Sequence, residues 1–125
     1  MQQDKEKGVI DLNNLPLYTE NDPVPTIRVS GGSQYFGVAC YALETLKRTE
    51  EVDLAFIGSA AAWQAALALG IIFASNSESV SVEFMYVRGV TSRGTRKYVV
   101  ARLRREGEIN RVKRVGETER EVQDD

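Results

Sequence analysis

The sequence predicts an α+β fold in which two helices pack on one mixed four-stranded sheet, in the order β-α-β-α-β-β, ending in a long hairpin. Two observations predict it. A β-type run, a glycine turn and an apolar helical stretch follow one another twice between residues 26 and 74, which implies adjacent parallel strands joined by a right-handed crossover. After Val80 the apolar spacing changes to a period of two and passes through a glycine-bounded turn into another β-type run.

Each element has its own warrant. Residues 1–25 hold all three prolines, Pro16, Pro23 and Pro25, among Asn, Asp and Glu, so regular structure is expected to begin at Thr26. Val9, Ile10, Leu12, Leu15 and Leu17 equip this arm to pack on the domain or on a neighbouring subunit. Residues 26–30 read as a strand, Gly31-Gly32 as a sharp turn, and Ser33 as the N-cap of a helix reaching about Thr49. Phe36, Ala39, Cys40, Leu43 and Leu46 give that helix one buried stripe.

Residues 52–57 read as a buried strand, Gly58-Ser59 repeats the turn and cap, and residues 60–74 form the second helix. Val80, Val82, Phe84 and Tyr86 alternate with Ser81, Glu83 and Met85, residues 89–94 form the turn region, and residues 98–103 are the last strand. From Gly107 the chain is charged, with Ile109, Val112 and Val115 as its regular apolar spacing. A short strand, a helix end and an irregular tail all fit it. The expected organisation is an arm (1–25), a domain (26–105) and a charged tail (106–125).

With 125 residues, 42% of them apolar and 27% charged, the chain supports one compact core. Cys40 is the only cysteine and there is no histidine, so an internal disulfide and the usual transition-metal ligand sets are excluded. A reducing, cytoplasmic setting is expected, and residues 1–5 do not open a secretory signal. Cys40 reads as a small core residue, because no histidine is present to activate its thiolate. The scattered carboxylates, lysines and hydroxyls join no acid to a base or nucleophile, so no catalytic residue, cofactor or metal is expected. Residues 54–77 are free of formal charge and meet the length of a membrane span. Gly58-Ser59 and Gln64 interrupt them, and a strand followed by a helix is the simpler reading, without a membrane partner.

The net charge of -2 conceals a pattern. Residues 1–25 carry two basic and five acidic groups, 26–105 carry ten and six, and 106–125 carry four and seven. The basic excess centres on the hairpin, where Arg88, Arg93, Arg96, Lys97, Arg102, Arg104 and Arg105 stand with no Asp or Glu among them. Guanidinium groups fork onto phosphate oxygens and release condensed counterions, so this stretch points to a nucleic-acid backbone. Residues 88–97 are placed to follow a groove, with Arg102 and its neighbours flanking the backbone. The competing reading is an edge hairpin whose charges prevent strand-to-strand aggregation, but that purpose is served by either sign, and acids are missing here.

A second candidate is the pair of turns Gly31-Gly32-Ser33-Gln34 and Gly58-Ser59. Parallel strands bring both helix N-termini to one edge, where free N–H groups and positive dipole ends attract an anion. Helix capping accounts for the same residues, and neither turn has the glycine spacing of a nucleotide-binding fingerprint. The second helix is apolar around its circumference, so Trp63, Leu67, Ile71 and Phe73 call for a second covering surface. A symmetric homodimer or the N-terminal arm would supply it.

Residues 27–103 resemble the stage V sporulation protein S family of the Alba superfamily. The resemblance lies in Ile27-Arg28-Val29-Ser30 entering a small-residue turn, in Ile57-Gly58-Ser59-Ala60-Ala61 followed by Gln64-Ala65 and Ala68, and in the terminal hairpin. It implies the same order of elements, dimerisation, and DNA or RNA binding without catalysis, with the hairpin and first turn as contact regions. Alba proteins carry lysines in the first turn, whereas Gly31-Gly32-Ser33-Gln34 leaves that contact to backbone N–H donors. The expectation is a dimeric nucleic-acid binder. The alternative is a structural protein that assembles into higher homo-oligomers through its apolar second helix and sheet edges.

Overall fold

The computed structural model describes residues 11–112. Its elements are β1 (Thr26–Val29), α1 (Tyr35–Arg48), β2 (Glu51–Phe56), α2 (Ser59–Asn76), β3 (Val80–Thr91) and β4 (Gly94–Arg105). The fold is α+β, in the expected β-α-β-α-β-β order. The sheet order is β1-β2-β4-β3, with β1 and β2 parallel and the other two pairs antiparallel. The ends of β1 and β2 that feed the helices therefore lie at the same edge as the tip of the β3-β4 hairpin.

Alternation sorts the sheet into two faces. Val52 and Leu54 of β2 and Ala101 and Leu103 of β4 face the helices, where they join Ala39, Leu43 and Leu46 of α1 and Ala65, Ala68 and Ile72 of α2 in the main core. Ala55, Val87, Tyr98 and Val100 form a smaller cluster on the opposite face, closed by Tyr18 and Met85. By length and composition α2 is apolar enough to cross a membrane, and its Ala61, Ala65, Ala68 and Ile72 face is buried.

The arm covers the second face. Leu15 and Val24 are buried, and Leu17 pairs with Arg88 on the outer edge of β3. The Tyr18 amide donates to the Arg88 carbonyl at 2.8 Å and the Arg88 amide to the Pro16 carbonyl at 3.0 Å. The Tyr18 ring meets Tyr98 edge-on, centroids 6.0 Å apart. Among the described residues the arm thus packs on its own domain, on the sheet rather than on α2, and Trp63 remains 62% exposed. Arm coverage of α2 is overturned for these residues, because Tyr18 is held by partners on the other face. Val9 and Ile10 lie outside the described residues.

Three local expectations are corrected. Gln34, not Ser33, is the N-cap of α1, because the Ser33 hydroxyl accepts from the Ser30 amide at 2.8 Å and closes the Gly31-Gly32 turn. Gly58 caps α2, so Ser59 is its first helical residue. The hairpin turn is only Ser92-Arg93, and Gly89 and Val90 belong to β3, paired with Arg96 and Thr95. Gly89 is there for contact rather than for turning, since a Cβ at this position would stand 2.6 Å from the Tyr98 ring. Residues 106–112 are irregular but anchored, with Ile109 and Val112 packed on the main core. Val115 lies outside the described residues.

Candidate nucleic-acid interface

The hairpin is longer than the sheet that carries it. β2 accompanies β4 only from the Glu51↔Arg104 pair to Phe56↔Val99, whereas β3 accompanies it to Thr91↔Gly94. Past Val99 β4 pairs with β3 alone, and beyond the Arg88↔Lys97 pair, where the arm still bonds to the outer edge of β3, the hairpin is a two-stranded ribbon that projects roughly 10 Å at about 3.3 Å per residue.

Pairing divides the seven basic residues. At the foot, Asp53 is fully buried and accepts from Arg102 Nε at 2.8 Å and Nη2 at 2.9 Å, and also from the Tyr18 hydroxyl. Arg104 is bound to Glu51, and Arg105 donates to Glu50 at 2.8 Å. The cause is register: Asp53 lies opposite Arg102 and Glu51 opposite Arg104, on the same face. Hydrogen bonding to Asp53 raises the Arg102 guanidinium above its ordinary value. Burial, then the bond to Asp53, raises the Tyr18 phenol well above its ordinary value. Arg88 is half-buried and donates its Nε to the Leu15 carbonyl at 2.8 Å.

Arg93, Arg96 and Lys97 stand apart from these four. All three are exposed on the ribbon, and none has an ion pair among the described residues. Since β2 ends at Phe56, no neighbouring strand brings a carboxylate alongside them.

The first turn lies near the root of this ribbon. A Cβ on Gly31 would meet the Ala60 Cβ at 2.8 Å, so the turn abuts the start of α2. Gly32 and Gln34 are exposed, Ser33 is half-buried, and neither helix has a side-chain cap. A cavity of about 260 Å³ joins Ser30, Gly31 and Ala61 to Arg28 and Tyr98. An adjoining cavity of about 330 Å³ shares Arg28 and Tyr98 and reaches Val90 on the ribbon. Arg28, exposed and paired with Glu20 at 3.0 Å, is a groove residue that the sequence reading missed; its place on a strand ending in the first turn was the available signal.

The apolar candidates on α2 do not share one face. Trp63 points outward with the exposed Ala66, Gly70 and Ala74, whereas half-buried Ile71 and Phe73 pack against the main core and Leu67 lies between. A further apolar surface went unread. Phe84, Tyr86 and Val90 are exposed, because the helices lie mainly over β1 and β2 and leave the far half of β3 bare. Alternation alone placed Phe84 and Tyr86 with buried Val80 but carried no record of where helix cover ends. Compared with models of protein families and with curated protein sequences, the chain matches none.

Proposed function

We propose that the protein is a non-catalytic nucleic-acid-binding module that acts as a homodimer, contacting the phosphate backbone through the ribbon tip. The supporting observation is the contrast within the hairpin: the sheet-borne arginines at its foot are paired, and Arg93, Arg96 and Lys97 beyond the sheet have no carboxylate partner among the described residues. Arg88 serves to hold the ribbon to the arm, and Arg102 serves the fold rather than the ligand. The exposed Gly31-Gly32 part of the first turn extends the basic edge with backbone donors, the Ser33 amide being engaged by the Ser30 carbonyl at 3.0 Å. The resemblance to the Alba superfamily belongs to this proposal, supported by the shared order of elements.

Titration of labelled duplex DNA by fluorescence anisotropy across a salt series tests it. Three phosphate contacts from each protomer of the dimer give a log-log slope of about -5.4, and Arg93→Ala with Arg96→Ala reduces its magnitude by about 3.6. Absence of binding at low salt, or a double variant that binds like the parent, overturns the reading. A second reading, assembly through apolar surfaces, is favoured by exposed Trp63, Phe84, Tyr86 and Val90. It predicts large ordered particles without nucleic acid in light scattering, which Trp63→Ser abolishes; a single dimeric species would refute it.

A further inference from the structure

Three features of the chain converge on one occupant for the ribbon tip. The first is the set of exposed cations Arg93, Arg96 and Lys97, which have no ion pair among the described residues. The second is the composition of residues 117–125, where Glu117, Glu119, Glu121, Asp124 and Asp125 stand with a single opposing charge, Arg120. These residues lie outside the described part of the chain. The third is where the described chain ends.

Residues 106–112 are held firmly. The Glu106 amide donates to the Ser79 carbonyl at 2.7 Å. Buried Asn76 then clamps Asn110 as a second backbone strand would, its Oδ1 accepting from the Asn110 amide at 2.7 Å and its Nδ2 donating to the Asn110 carbonyl at 3.1 Å. Val112 comes to rest on the flank of α1 beside Phe36, Cys40 and Leu43. Val112, the last described residue, therefore sits on α1, whose N-terminal end stands at the edge from which the ribbon projects. Extended, residues 113–125 reach up to about 43 Å, against about 40 Å for the full length of a twelve-residue strand.

We propose that the acidic segment 117–125 docks on the ribbon tip and competes there with nucleic acid, an inference that rests on the proposed phosphate-binding role of that tip. The tether sets an effective concentration in the millimolar range, so even weak attraction populates the docked state. Exposed ion pairs are individually weak and are screened by salt, so docking tunes affinity without abolishing it. The two carboxylates at the end of the segment and the alternating Glu117, Glu119 and Glu121 match the acid-free ribbon in sign and density.

The experiment uses the full chain and a variant carrying Glu117→Gln, Glu119→Gln, Glu121→Gln, Asp124→Asn and Asp125→Asn. Backbone amide shifts of Arg93, Arg96 and Lys97 are recorded without nucleic acid at low salt, and anisotropy then measures duplex binding by both chains. The expected result is that these amides move in the variant, and that its affinity rises about 5-fold at low salt with the gain vanishing at high salt. Unmoved amides overturn the docking even where both chains bind DNA. Moved amides with equal affinities overturn the competition. Moved amides with no binding by either chain uphold the docking and sink the phosphate-binding role instead.

Discussion

The foot and the tip of the β3-β4 hairpin carry the same kind of side chain in different surroundings. At the foot, β2 runs beside β4 and supplies a carboxylate opposite Arg102 and another opposite Arg104. At the tip β2 has ended, and Arg93, Arg96 and Lys97 meet solvent. An arginine's role here depends less on local sequence than on whether a third strand is present alongside. The foot spends its charge on holding the sheet together, and the tip keeps its charge available.

Substitutions at the two ends sharpen this contrast. Arg102→Ala has the largest expected effect, because it leaves Asp53 buried and without its bidentate partner; urea unfolding should show a loss of about 3–5 kcal/mol. Gly89→Ala forces a methyl group into the Tyr98 ring at the ribbon root, and the same measurement should show a loss of about 1–3 kcal/mol. Tyr18→Phe removes one hydrogen bond to buried Asp53 and should cost about 1 kcal/mol at pH 8.

Tyr18 also gives the arm an alkaline signature. Its phenol titrates higher in the folded chain than in the unfolded one, so its contribution is complete below pH 10, the ordinary phenol value, and is lost as pH rises toward the folded value. Unfolding followed from pH 9 upward should show a decline that is shallower in Tyr18→Phe. The smallest effects are expected for exposed cations. Arg104→Ala should cost at most about 1 kcal/mol, its ion pair being exposed, and Arg96→Ala should leave stability within about 0.5 kcal/mol. If Arg96→Ala destabilised as much as Arg102→Ala, the division between foot and tip would fail.

The elements were legible because two periodicities and three glycine-bounded turns mark them. Val52 and Leu54 alternate with Asp53 in a strand, and Ala39, Leu43 and Leu46 recur at helical spacing. The site was legible in part. Arg93, Arg96 and Lys97 stand exposed as a run of unopposed cations suggests, but Arg102 looks identical to them in sequence. Its pairing depends on a strand 49 residues away. Gly89 reads as a turn residue for a similar reason: the ring that requires it arrives from β4.

By itself the sequence determined the order of elements, the parallel first pair, the acid-free stretch from Tyr86 to Arg105 and the excess of carboxylates at both ends. These follow from steric preferences and local composition, which each segment carries with it. Tertiary structure decided which arginines are paired, which sheet face the arm covers, and where the hairpin outgrows its sheet. Those outcomes depend on register between distant segments, and register is set only when the whole core closes.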